Sequence, residues 1–313
     1  MRFMMALLIW TATMLAQGPA GRGYELKEIK GGLYWVTDGA YNTMFLVTRD
    51  GVIAVDALPT MGERQIAAIR EVTDKPIRYL VYSHEHTDHI GAASLFPSGI
   101  KIVAQAETAS ILKRRKDPRR HVPTVTFRDH LTLSLGDQKL ELIYPGPNHQ
   151  TGNIIIWAPR QKTLMLVDVV YPGYMPYKNL GIVEDVPGYI DVHRTVLGYD
   201  FDTFVGGHVD RLGTRADVET SLEFVTELHS VESRGLSKTP FPAFLAAHAG
   251  PDKWDLHNEY ERALLEDCAA ELGKTWEARL KDTKTYLKDN CWAMIEAITV
   301  QMPPFPDAVG KKQ

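Results

Sequence analysis

His84-Glu85-His86-Thr87-Asp88-His89 follows directly on Ile77–Tyr82, a nearly all-apolar run. That run reads as a strand buried on both faces. A ligand-dense segment at the C-terminal edge of a buried strand is where α/β proteins place their sites. Side chains two apart in an extended segment project to the same side, so His84 and His86 can share one target. Asp88 and His89 lie a turn further on and can face a second. Neutral imidazoles beside a carboxylate suit a borderline cation such as zinc. Any fold for this chain must therefore bring further ligands to that strand end.

The flanking pattern is that of an α/β protein. Leu33–Thr37, Thr43–Thr48, Val52–Asp56, Lys101–Ala104, Leu131–Leu135, Leu140–Tyr144, Asn153–Trp157, Thr163–Val167 and Thr203–Val205 read as strands. Arg49-Asp50-Gly51 turns a hairpin. Gly62–Val72, Ala106–Lys116 and Gly188–Leu197 read as helices scattered singly among the strands, which predicts a sandwich of sheets covered by helices. After Gly213 the strand pattern stops. Ala216–Ser230, with Thr214 as N-cap, then Asp255–Leu272 and Thr283–Ile298 are helical by spacing. The expected organisation is a leader over 1–20, an α/β domain over 21–213 and a helical extension over 214–313. The tail from Pro303 is expected to be loose.

Three later residues fit the same site. His149 sits in a turn-rich loop, Asp168 ends Thr163–Val167, and His208 follows Thr203–Val205 through Gly206-Gly207. Each stands at the C-terminal end of a predicted strand, where one metal centre could collect them. With these residues the chain resembles the metallo-β-lactamase-fold hydrolases over about Tyr24 to Leu212. Tyr41-Asn42-Thr43, Asp50-Gly51, Val55-Asp56, Asp74–Tyr79 leading into the His-rich segment, Gly91-Ala92-Ala93 and Gly206-Gly207-His208 carry the likeness. The resemblance implies an αββα four-layer sandwich with two metals at one edge. It also implies that His84, His86 and His149 hold the first metal, that Asp88, His89 and His208 hold the second, and that Asp168 bridges them. Asp88 would also orient the hydroxide that two zinc ions generate from water, and Asp56 is either a support for the ligands or a strand cap. Asn179, in Asn179-Leu180-Gly181, resembles a β-lactamase residue that helps hold the substrate carbonyl oxygen. The family's cysteine-ligated lactamases carry Cys at the place of Asp168 and, three residues on, a Lys that binds the substrate carboxylate; here that place is Tyr171. An aspartate is what glyoxalase-II-like, lactone and thioester hydrolases have. The aromatic stretch Tyr171–Tyr177 either lines a pocket for a cyclic or apolar substrate or packs beneath the C-terminal helices.

The rest of the chain narrows the class. Met1–Ala16 carries one basic residue and a short apolar run, then small residues, which reads as a secretory signal cut after Gly18 or Ala20, the alternative being an uncleaved anchor or a buried first helix. With the signal cut, the mature protein is secreted or periplasmic, with no membrane anchor. In that compartment Cys268 and Cys291 can pair, or they can remain two buried thiols. The net charge of -4 argues against a nucleic-acid partner. The basic run Lys113–Arg120 reads as a solvated helix end or as a lure for an anionic substrate or an RNA. The expectation is an exported di-zinc hydrolase that cleaves an acyl bond of a small molecule (ester, lactone, thioester or lactam). The alternatives are a zinc β-lactamase proper, a di-iron oxidoreductase or dioxygenase, and a non-enzymatic accessory protein with a structural metal site.

Overall fold

A computed structural model describes residues 21–248 and 252–302. The leader and the tail from Pro303 lie outside the described residues. Among the described residues, twelve strands form two sheets. The first runs β1 (Glu25–Lys30), β2 (Leu33–Thr37), β3 (Asn42–Thr48), β4 (Gly51–Val55), β5 (Ile77–Val81), β6 (Lys101–Gln105) and β7 (Val125–Phe127) in chain order. Its first four strands pair antiparallel, and β4 through β7 pair parallel. The second holds β8 (His130–Leu135), β9 (Gln138–Ile143), β10 (Ile155–Ala158), β11 (Thr163–Leu166) and β12 (Thr203–Val205), ordered β12-β11-β10-β9-β8, with only β11 and β12 parallel.

Side-chain alternation with period two builds the layers. In β3, Met44 and Leu46 point between the sheets while Phe45 points outward; in β11, Met165 lies between the sheets and Leu164 and Leu166 on the far face. The result is three stacked cores. One lies between the sheets, around Trp35, Ile53, Leu142 and Val205. A second lies under α1 (Glu63–Val72), α2 (Thr87–Ile90) and α3 (Ala106–Arg115), around Phe45, Leu80, Ile90 and Leu112. The third joins β10, β11 and β12 to α5 (Val186–Leu197), α6 (Arg215–Lys238), α8 (Lys253–Trp276) and α9 (Thr283–Val300). This is the αββα sandwich. Asp217 accepts from the Thr214 N–H and hydroxyl and fixes the start of α6. A smaller cluster of Phe244, Tyr260, Leu264 and Ile295 seats α7 (Phe241–Ala247) on α8 and α9. Cys268 of α8 and Cys291 of α9 form a disulfide. Among the described residues no helix is long and apolar enough to cross a membrane.

Two strands escaped the sequence reading. Glu25–Lys30 is an edge strand with charged side chains left largely in solvent, so no apolar alternation marks it. Val125–Phe127 is only three residues long. Between β11 and α5, Lys178–Ile182 (α4) turns left-handed at Asn179, Leu180, Gly181 and Ile182.

Candidate metal centre

Parallel pairing puts several C-terminal strand ends at one edge of the sandwich. Asp56 follows β4, Ser83 to His89 follow β5, Asp168 follows β11 and His208 follows β12. Asp56 and Asp168 both take left-handed backbone, φ 50° and 60°, which turns each carboxylate back over its strand end. Two groups of ligand atoms converge there: His84, His86, His149 and Asp168, and Asp88, His89, Asp168 and His208, each within 4.8 Å. Asp168 belongs to both.

The spacings could accommodate a coordination shell. His149 Nε2 lies 3.2 Å from His86 Nδ1, and His89 Nε2 lies 3.3 Å from His208 Nε2. A tetrahedral zinc with bonds of about 2.0–2.1 Å separates its nitrogen ligands by about 3.3 Å. Asp168 Oδ2 is 3.1 Å from His89 Nε2, 3.5 Å from His149 Nε2 and 3.7 Å from His84 Nε2, while Oδ1 is 3.0 Å from His208 Nε2. His84 Nε2 is buried without a hydrogen-bond partner. Buried polar atoms are rarely left so, and a cation is the partner this donor set fits.

Two of the imidazoles are held in the neutral, ligating form. Burial, aided by the neighbouring imidazoles, holds His84 well below its ordinary value, and burial takes His149 down to about 3. Both rings are neutral and offer lone pairs. Burial would also suppress the His89 charge, but the Asp168, Asp56 and Asp88 carboxylates override it and raise the ring to about 9. Burial likewise opposes the Asp168 charge and is overcome by His89 and His208, which hold it well below the carboxylate range.

Asp56 does support the ligands, together with Ser83, Asn42 and Asn148, which the sequence did not mark for that role. Ser83 Oγ donates to Asp56 Oδ2 at 2.8 Å and lies 3.0 Å from His84 Nδ1. A hydroxyl has one hydrogen, so Nδ1 must be the donor to Ser83, which leaves Nε2 free for a cation. Asp56 also accepts from Ser83 N at 2.7 Å; burial raises its carboxyl to about 6. Asn42 of β3 donates to the His208 and Val209 carbonyls, at 2.7 and 2.9 Å, and ties that loop to the opposite sheet. Asn148 Oδ1 accepts from His149 N at 2.8 Å. A Cβ on Gly207 would fall 2.5 Å from Asp168 Oδ1, so only glycine lets that carboxylate sit where it does. The basic run has a structural use: Arg120 Nη1 reaches the buried Glu85 at Oε2, 3.0 Å, and at its carbonyl, 2.6 Å, while Gln150 Nε2 holds Glu85 Oε1 at 3.1 Å. Glu85 thereby links the His84–His89 segment to the loop of His149.

A cavity of about 570 Å³ opens over His86, Asp88, His149, Asp168 and His208. Its walls include Tyr41, Tyr171, Tyr174, Met175 and Tyr177, so the aromatic stretch lines the pocket rather than packing away from it. Asn179 is not among the lining residues; the left-handed turn presents Gly181 and Ile182 there instead. Leu180 N donates to Asn290 Oδ1 of α9 at 2.7 Å, which anchors that turn. Asp282 and Tyr286, from the start of α9, complete the wall.

A family model of the metallo-beta-lactamase superfamily matches residues 36–224. The chain belongs to this superfamily. The 2,4-dinitroanisole O-demethylase subunit alpha of Nocardioides sp. (strain JS1661) is 35% identical over 206 residues, 62% of each chain. This chain thus aligns with less than two thirds of that relative's length. The metallo-beta-lactamase type 2 of Elizabethkingia meningoseptica is 26% identical over 59% of this chain and 77% of its own. The solved metallo-beta-lactamase from Pontibacter korlensis superposes with a TM-score of 0.55 at 23% identity, covering 65% of this chain and 99% of its own. The superfamily consists of metal-dependent hydrolases, with the demethylase subunit an example of another enzyme on the same scaffold.

Proposed function

We propose that the chain is an exported di-zinc hydrolase acting on an acyl bond of a small molecule. The observation that carries this reading is the pair of four-residue ligand groups that share Asp168 at the floor of the cavity. His84, His86 and His149 would hold one cation, and Asp88, His89 and His208 the other, with Asp168 between. Bound there, zinc would supply a Lewis acid for a carbonyl oxygen and lower the pKa of water to roughly 7.

The chain's own groups do the rest. Asp88, half exposed on the cavity, accepts a hydrogen bond from water at its carboxylate and orients it. Burial keeps the Tyr171 phenol protonated, so it can donate to a substrate oxygen at the cavity wall. The tyrosine walls exclude bulk water, which strengthens each of these contacts. Asn179 would have to act through the conformation of its turn, since its side chain does not line the cavity. The Cys268–Cys291 disulfide supports export, because such bonds persist in oxidising compartments.

A second reading, O-demethylation of an aryl methyl ether, has support in the likeness to the demethylase subunit. The test is metal analysis of protein purified without added zinc, followed by turnover of lactone, thioester, lactam, phosphodiester and 2,4-dinitroanisole, with and without chelator. Two zinc ions with chelator-sensitive acyl hydrolysis is the expected result. Two iron ions without zinc, or turnover of the ether alone, would overturn it.

A further inference from the structure

The cavity extends well past the ligand groups, and its outer wall is built from two places. The stretch from Tyr171 to Tyr177 gives one side. The start of α9 gives the other, where Tyr286 meets Tyr177 ring to ring at 5.2 Å between centroids. These two pieces are tied by backbone pairing: Met175 N donates to the Lys281 carbonyl at 2.9 Å, and Lys281 N to the Gly173 carbonyl at 3.0 Å. The turn before α9 is therefore a fixed part of the pocket. It lies beyond residue 224, where the family match ends.

Among the described residues, no Lys or Arg lines the cavity. Outside the ligand groups, its one acidic or basic residue is Asp282. Two cations beside the wall are held by other groups. Lys281 Nζ lies over the Tyr174 ring, 4.7 Å from its centroid and 3.2 Å from its hydroxyl. Arg211 pairs with Asp217. A carboxylate on the outer part of a substrate would be drawn from water into an aromatic wall with no cation to meet it, beside an aspartate. A flat apolar ring loses nothing by desolvation there and stacks on the tyrosines.

We propose that this pocket selects substrates whose body beyond the scissile bond is aromatic and free of negative charge, with Tyr286 and Asp282 of the α9 start as the selecting wall. The inference rests on the reading of the cavity as a hydrolase's substrate pocket. It is tested on the zinc-loaded full chain with two matched esters, 4-methylphenyl acetate and 4-carboxyphenyl acetate, and with their phenols, 4-methylphenol and 4-hydroxybenzoate, as calorimetric ligands. The neutral phenol is expected to bind at least about 10-fold tighter than the carboxylated one, and kcat/KM to follow the same order. Tyr286→Ala should weaken 4-methylphenol by about 5-fold or more at unchanged zinc content. Ile182→Lys, at an exposed position on the cavity rim, should close most of the gap by tightening 4-hydroxybenzoate. Equal or tighter binding of 4-hydroxybenzoate by the unmodified protein would overturn the proposal, as would two zinc-replete variants that leave both affinities unmoved. If neither acetate turns over, the acyl-hydrolase reading fails, and the phenol affinities still decide this one.

Discussion

Ser83 has a single hydroxyl hydrogen, and Asp56 takes it. Removing that hydroxyl leaves His84 Nδ1 and one Asp56 oxygen facing nothing, in a place water does not reach. Ser83→Ala should therefore lower zinc affinity about 10–100-fold, measured by competition with a chromogenic chelator, while the far-ultraviolet spectrum stays native. Glu232 tells a different story on the α6 face. It is buried with Oε1 unpartnered, and burial, with Asp267 nearby, lifts its carboxyl to about 8. The folded state keeps this proton where the unfolded chain has lost it. Its contribution is thus full below the ordinary glutamate value of 4.5 and disappears as pH rises through 8. Glu232→Gln should raise the melting temperature most above pH 8 and leave it unchanged near pH 4; an equal gain at both would refute the assignment.

At the scale of elements, the join between the end of β5, α3 and the His149 loop centres on the Glu85 carboxylate, which Arg120 and the half-exposed Arg115 of α3 both pair. Glu85 is fully buried and Arg120 nearly so. Arg120→Met removes the buried counter-charge and leaves Glu85 only the exposed Arg115, at a cost of up to about 3–5 kcal/mol, the range for breaking a buried pair. Urea unfolding should show a loss of that order, and Arg120→Met combined with Glu85→Gln should recover much of it. These supports explain what the sequence could and could not disclose. His84 to His89 were legible because they are contiguous and end an apolar strand, and His149, Asp168 and His208 because each closes a strand with a turn signal behind it. Glu85 with Arg120, and Asn42 with His208, are separated by 35 and 166 residues, and no local pattern announces such pairings. The same holds for the pocket wall at Tyr286, whose helix was predictable but whose neighbour Tyr177 was not. The left-handed turn at Asn179–Ile182 escaped notice because Leu180 and Ile182 are residues that seldom adopt it. It is held from outside, by Asn290.

Across the whole molecule, α6, α8 and α9 share one apolar core with the second sheet, so their stability is felt at the pocket. The disulfide closes a separation of 23 residues between α8 and α9. Replacing both cysteines with alanine should cost about 3 kcal/mol by the loop-entropy relation, read as a lower denaturation midpoint that reducing agent no longer shifts. The ligand groups themselves are split between the two sheets: His84, His86, Asp88 and His89 stand on one, His149, Asp168 and His208 on the other. A cation held by both acts as a bolt through two leaves. Neither leaf alone carries a complete socket, so ion uptake reports whether the halves have closed face to face. Substitutions that loosen the seam between them, far from any histidine, should shed metal before they unfold the chain.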